Sequence, residues 1–449
     1  MKMMTPESIR WLAYPEAITG AVTCPCVVST WVTGGVFHRC GITYGSQEPA
    51  PERLVRQKKS GSRKQTVMTD FFDSRYPSIE HLRQRARKRM PRFAFEYLEG
   101  GCFSEVNLQR NTDEIRQIQL RPYYLRDYAG SNLDTELFGQ TRSAPFGIAP
   151  IGLQGMMWPK ATEYLAQAAF AENVPFILST VATASIETVS KITEGNFWFQ
   201  LYHPVEDELR DKLLDRASSA GCQVLVILAD TPTFAWRPKE IRNGLSIPPK
   251  MTLRNIAQMT TRPAWALGQL AAGVPEFKTM KPYIPKGLNM KHLGLFMNKT
   301  FSGRLNAKKI EAIRERWKGK LVVKGIVNEE DAEKAISLGV DGIIASNHGG
   351  RQLDNGQSTI QPMTELAKKF GDQTTLMIDS GLRSGPDIAN ALASGAKFCF
   401  MGRSFMYGVG ALGKNGGHHT ISMLKRQVQQ VMEQLACERT QDFPKHLIK

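Results

Sequence analysis

Gly342-Ile343-Ile344-Ala345-Ser346-Asn347-His348-Gly349-Gly350-Arg351-Gln352 is the stretch on which the reading of this chain turns. It opens as a short apolar run, the pattern of a strand buried on both faces. The run then breaks into polar residues and two glycines. A strand over 342–347 therefore ends against a histidine, with an arginine three residues further on. Histidine is the side chain whose ordinary pKa lies nearest neutrality, which suits a general base. Arginine presents a planar fork that matches a carboxylate. A lone histidine is more often structural than catalytic. The asparagine, the glycine pair and the arginine around His348 favour a site.

Working outward, the same pattern recurs. Further strand candidates lie at 146–152, 175–180, 197–202, 222–230, 321–325, 375–381 and 397–402, each an apolar run bounded by Gly, Pro or Asn. Helical periodicity falls between them, for example over 160–173, 206–220, 306–317 and 328–338. Eight strands separated by helices predict an α/β fold of the TIM (β/α)8-barrel class, with an N-terminal helical segment and a long excursion after the fourth strand. A doubly wound open sheet is the competitor. The strand ends favour the barrel, whose functional groups gather at the C-terminal ends of its strands. They read Pro150-Ile151-Gly152, Ser179-Thr180, Gln200-Leu201-Tyr202, Asp230-Thr231, Lys324-Gly325, Asn347-His348, Asp379-Ser380-Gly381 and Gly402-Arg403. The last two, with Arg383, offer backbone N–H groups and cations where barrels often bind phosphate.

The flanks and composition narrow the function classes. Hydrophobic residues make up 42% and charged residues 22% of 449, as in ordinary globular proteins. The net charge of +16 is concentrated near the N-terminus, over 53–64 and 83–92. Zinc-finger spacing, RNA-binding aromatics and a basic-zipper pattern are missing, so no nucleic acid partner is expected. Seven cysteines, an odd number, suit reduced thiols. Cys24-Pro25-Cys26 has no matching pair, and no metal site is expected. The mildly apolar stretch 17–37 is interrupted throughout, so neither a membrane span nor a cleaved signal is expected. Residues 1–67 read as a poorly ordered or non-native extension, and 68–449 as the barrel domain. Met68 is a candidate translation start, with Thr69-Asp70 as a helix start. The excursion over 238–304 is unusually long for a connection and reads as a lid, an oligomer contact, a membrane-docking surface or a partly ordered surface excursion.

Ser346-Asn347-His348-Gly349-Gly350-Arg351-Gln352-Leu353-Asp354 resembles the signature of the FMN-dependent α-hydroxy acid dehydrogenase/oxidase family. The similarity runs from about residue 71 to 447. It is closest to bacterial L-lactate dehydrogenases through Tyr97-Leu98-Glu99-Gly100-Gly101, Ser104-Glu105, Leu178-Ser179-Thr180-Val181 and Asp379-Ser380-Gly381. The resemblance implies oxidation of an L-2-hydroxy acid, L-lactate foremost, with FMN as cofactor. It implies His348 as the base, taking either the hydroxyl proton or the α-proton, and Asp230 as its paired carboxylate, which is expected to raise the imidazole pKa. Arg351, Arg237 and Tyr97 would hold the substrate carboxylate, and Tyr202 would face its hydroxyl. Lys324, Gln200 and Ser179 resemble the flavin-ring contacts. Pro150, Ile151, Gly152 and Ser346 join them, and Asp379, Gly381, Arg383, Gly402 and Arg403 form the phosphate end.

Two positions depart from the family pattern. Leu228 stands where many relatives have Thr, and Ile151-Gly152 replaces the Thr-Ala common in oxidases. The electron acceptor is expected to be a quinone or another carrier, with an O2-using oxidase or lactate monooxygenase as the alternative. The resemblance further implies a homotetramer. The expected location is the cytoplasm, with peripheral contact at the inner face of the cell membrane through 83–92 and 238–304 as an option. An FMN-barrel isomerase or nucleotide dehydrogenase would lack the His348/Arg351/Arg237 trio. A non-catalytic barrel would show gaps in the site.

Overall fold

The apolar runs become strands whose C-terminal ends converge on one face. The computed structural model describes residues 71–245, 250–288 and 290–448. The expected N-terminal extension, Cys24-Pro25-Cys26, Met68 and the helix start at Thr69-Asp70 lie outside them. The first described helix begins later, in α1 (Ile79–Arg89), where Ser78 accepts the amide of His81 at 3.4 Å.

Strands β1 (Phe146–Ile148), β2 (Ile177–Ser179), β3 (Trp198–Leu201), β4 (Val224–Leu228), β5 (Lys320–Ile326), β6 (Gly342–Ala345), β7 (Thr375–Ile378) and β8 (Phe398–Met401) pair in parallel, in the order β1-β8-β7-β6-β5-β4-β3-β2. A bridge between Ile148 and Phe176 joins the two ends, and the Ile148 amide donates to the Pro175 carbonyl at 2.9 Å. The sheet is thus the expected (β/α)8 barrel. Its lumen is filled by Ile177, Trp198, Val226, Val322, Ile344, Met377, Phe398 and Phe400. A larger apolar layer lies between the strands and the surrounding helices.

A hairpin lies outside the expected strands. Thr135–Leu137 and Gln140–Arg142 form a hairpin whose turn, Phe138-Gly139, has positive φ at both residues, the type of turn that matches strand twist. Phe138 packs 5.7 Å from the Trp198 ring, at the N-terminal ends of the strands. The bottom of the barrel lumen is therefore closed by apolar packing.

The excursion carries its own elements: helices Pro238–Arg242, Leu253–Thr260, Pro263–Ala272 and Met290–Thr300, and a 3-10 turn at Lys281–Tyr283. Trp265 anchors it, donating to the Met157 carbonyl at 3.1 Å. The basic run 83–92 is partly consumed internally. Arg83 pairs with Glu99 at 2.6 Å, Arg92 pairs with Glu96 at 2.6 Å, and Arg85 donates to the Ala411 carbonyl at 3.0 Å. Among the described residues no helix is long and apolar enough to cross a membrane.

Candidate active site

The top of the barrel gathers two charged groups. The first is built from β4, β5, β6 and β7. Lys324 on β5 is buried and lies 3.0 Å from Asp379 and 3.7 Å from Asp230, and it donates to Ser346 Oγ at 2.6 Å. No acidic residue lies within four positions of Lys324 in sequence; the barrel supplies two. A register shift between Lys324 and Ile326 makes this possible. At the bulge Gly325 has φ +104°, and a Cβ there would lie 2.6 Å from Asp230, so only glycine lets the two strands approach. Ser346 Oγ donates to Asp230 Oδ2 at 3.3 Å, and Asp230 Oδ1 lies 3.1 Å from His348 Nδ1. Because the carboxylate accepts, the imidazole carries its proton on Nδ1, and Nε2 is left as the basic nitrogen.

The loop that carries His348 is strained. His348, Gly349 and Gly350 all lie in the left-handed region, at φ +59°, +68° and +72°. Ser346 Oγ accepts the His348 amide at 3.1 Å, Ser380 Oγ accepts that of Gly349 at 2.9 Å, and Asn347 Oδ1 accepts that of Gly350 at 3.1 Å. Asn347 Nδ2 in turn donates to Asn111 Oδ1 at 2.7 Å and Asn107 Oδ1 at 3.1 Å, both on the helix Val106–Gln117. Ser380, Asn107 and Asn111 were missed in the sequence. Ser380 sat in view beside Asp379, whereas two helical asparagines carry no chemical signature.

The second group is cationic. Arg351 Nη1 donates to the carbonyls of Tyr97 and Gly100, both at 2.8 Å, and its guanidinium lies 5.1 Å from the centre of the Tyr97 ring. Arg237 Nε donates to the Arg351 carbonyl at 3.1 Å and Nη2 to Gln352 Oε1 at 2.9 Å. One carboxylate, that of Glu240, is shared by both arginines, at 2.5 Å from Arg351 and 3.3 Å from Arg237. Tyr202 packs its ring 5.9 Å from Phe301. Burial holds the phenols of Tyr97 and Tyr202 above their usual range, helped by Glu240 and Asp230 respectively, so both remain donors.

Asp230 pulls the imidazole pKa upward as expected, but a larger effect opposes it. Burial lowers the His348 pKa below its ordinary 6.5, and this outweighs the upward pull of Asp230. The imidazole is therefore neutral at pH 7. Burial would raise Asp230, but Lys324 and His348 override it and hold that carboxylate below its usual range. Lys324 is penalised by burial, yet Asp379 and Asp230 raise it, so the ammonium persists.

Several features fit FMN. Gln200 is buried; its Oε1 accepts from Ser179 Oγ at 2.7 Å, while its Nε2 has no hydrogen-bond partner among the described residues. Such an orphaned donor fits an acceptor on a flavin ring. Arg403 donates to the carbonyls of Leu98, Gly349 and Gly100 at 2.8–3.0 Å. Burial and the nearby Arg383 and Arg351 push it down to about 9, a cationic cluster that a phosphate would relieve. Gly381, at φ +88°, would bring a Cβ to 2.5 Å of the Asn111 carbonyl oxygen. Asp379 faces Lys324 and accepts from Ser380 Oγ at 2.9 Å. Pro150, Ile151 and Gly152 form the turn after β1. A Cβ at Gly152 would meet Val181 Cγ2 at 2.8 Å, and one at Gly402 would meet Ile151 Cγ1 at 3.5 Å. The glycine at 152 thus accommodates Val181.

The family model of FMN-dependent dehydrogenases matches residues 86–449. An L-lactate dehydrogenase of Pseudomonas syringae pv. syringae (strain B728a) is 35% identical over 356 residues, spanning 79% of this chain and 93% of that protein. Among solved structures, an (S)-mandelate dehydrogenase described as a monotopic membrane protein superposes with a TM-score of 0.78 at 32% identity, over 83% of this chain and 99% of that one. A mandelate oxidase superposes with a TM-score of 0.71 at 27% identity, over 83% and 98%.

Proposed function

Because this chain belongs to the FMN-dependent dehydrogenase family and oxidises an α-hydroxy acid with FMN as its cofactor, we propose that its substrate is L-lactate, converted to pyruvate, and that its electrons leave to a quinone or another carrier. The observation that carries the chemistry is the His348–Asp230 pair at 3.1 Å, on the same loop as Arg351. Bound FMN supplies the two-electron acceptor. His348 Nε2 takes the substrate's hydroxyl proton as the α-hydrogen leaves with its electron pair, so that the C=O bond of the 2-oxo acid forms. Asp230 fixes the tautomer and stabilises the imidazolium that forms. Arg351, Arg237 and Tyr97 bind the carboxylate, and Tyr202 donates to the reacting oxygen. Ser179, Gln200, Ser346, Lys324 and the turn Pro150–Gly152 hold the cofactor ring, with the Lys324 cation offsetting negative charge on it. Gly381, Arg383, Gly402 and Arg403 hold its phosphate.

The choice of L-lactate rests on relatives about 35% identical that bear that name. The superposition on (S)-mandelate dehydrogenase favours a second reading, an aromatic 2-hydroxy acid. Anaerobic bleaching of the purified yellow protein by L-lactate, glycolate and (S)-mandelate separates them. The L-lactate reading requires the highest kcat/KM for lactate, and a preference for mandelate would reverse it. Turnover with a quinone analogue but little with O2 is expected; fast peroxide formation would instead mark an oxidase.

The excursion supports membrane docking. Leu253, Leu267, Leu270 and Val274 are 66–85% exposed, beside the exposed Arg254. Apolar side chains with an adjacent cation suit the headgroup boundary of an anionic bilayer, where a quinone is at hand.

A further inference from the structure

We propose that Glu240 sets the carboxylate pocket at one net positive charge and so selects 2-hydroxy acids with a single carboxylate over dicarboxylic ones. This rests on the reading of Arg237 and Arg351 as the substrate's carboxylate fork. Glu240 stands on the helix Pro238–Arg242, three residues after Arg237. Its Oε1 is 2.5 Å from Arg351 Nη2 and 3.3 Å from Arg237 Nη1, and the three side chains are only 12–14% exposed. Charges this poorly solvated are felt strongly by a ligand.

The donor arrangement agrees. Arg351 uses Nη1 on two carbonyls and Nη2 on Glu240. Arg237 uses Nε on a carbonyl, Nη1 on Glu240 and Nη2 on Gln352. With five N–H groups on each guanidinium, a pair on each is left for a ligand among the described residues. Two cations and one built-in carboxylate then match one incoming carboxylate. The neighbouring cations are otherwise engaged. Lys239 pairs with Glu105 at 2.5 Å, and Arg403, whose three bonds to carbonyls leave its charge in place, is assigned to the cofactor phosphate. Glu240 is a positioning and charge-setting residue; His348 remains the base.

The test uses the FMN-loaded enzyme and two unreactive anions, propionate and malonate, titrated through the change in flavin absorption. The wild type should bind malonate no more tightly than propionate. Glu240→Gln keeps the size and an acceptor oxygen but removes the charge, and should shift the affinity ratio toward malonate by about tenfold or more. Glu240→Asp should return the ratio to the wild-type value. The ratio of kcat/KM for L-malate over L-lactate should move the same way. An unchanged ratio in Glu240→Gln overturns the proposal. So does a wild type that prefers malonate, even if the variant fails to hold FMN. If no 2-hydroxy acid reduces the wild type while the anion ratios behave as stated, the substrate reading fails and the role of Glu240 stands.

Discussion

As the proposed base, His348 can act only while neutral, and its surroundings keep it so. Burial places its pKa below 6.5 despite the Asp230 carboxylate at 3.1 Å. A group whose pKa is lowered loses its basic form only as pH falls through that lower value. The kcat/KM for L-lactate should therefore be flat from pH 7 upward until other groups titrate, and should fall on an acid limb below 6.5. A limb centred above pH 7 would contradict the assignment. Lys324 gives a second test at this scale. It is the shared counter-ion of Asp230 and Asp379. Lys324→Met leaves two buried carboxylates without their ammonium counter-ion and should cost about 3–5 kcal/mol in a chemical denaturation curve, as well as activity. A loss under 1 kcal/mol would mean that the triad is not coupled. His348, Asp230 and Lys324 were legible as single residues because each closes an apolar run where a barrel puts its chemistry. Their coupling was not, since it depends on which strands are neighbours. Glu240 escaped for a different reason: it lies in the excursion, where no strand end marks it.

At the scale of elements, the His348 loop is held against strain by its neighbours. Gly350 has φ +72°, and a Cβ there would come within 2.5 Å of the Leu108 backbone. Gly350→Ala should therefore push the helix Val106–Gln117 off the loop. The expected cost is about 1–3 kcal/mol, with a lower melting temperature and a larger loss in kcat/KM than stability alone explains. Unchanged turnover in that variant would show the loop to be indifferent to its backing helix. The eight strands were readable because each is a short apolar run bounded by Gly, Pro or Asn. The hairpin Thr135–Leu137/Gln140–Arg142 was not, because strands of three residues are too short to show alternation. The helices of the excursion were obscured by apolar residues that face solvent, such as Leu267 and Leu270, and so blur the core-facing stripe.

The whole molecule separates two jobs. Packing closes the bottom of the barrel through Phe138 and Trp198, while the top carries every group assigned to chemistry. The excursion after β4 brings Arg237 and Glu240 to that top and turns exposed leucines outward. If this face docks on a bilayer, the wild type should co-sediment with anionic vesicles. Replacing Leu253, Leu267 and Leu270 together by Ser should release it without altering turnover with a soluble dye. Equal sedimentation of the two proteins would remove the docking face from the account. The central claim is that His348, oriented by Asp230 at the top of an FMN barrel, is the base that oxidises a 2-hydroxy acid. The most direct test mixes the FMN-loaded protein with L-lactate without oxygen and follows the visible flavin band. The wild type should bleach, and His348→Gln should retain its yellow FMN yet bleach roughly 10²–10⁴-fold more slowly. Bleaching of that variant at the wild-type rate would contradict the account.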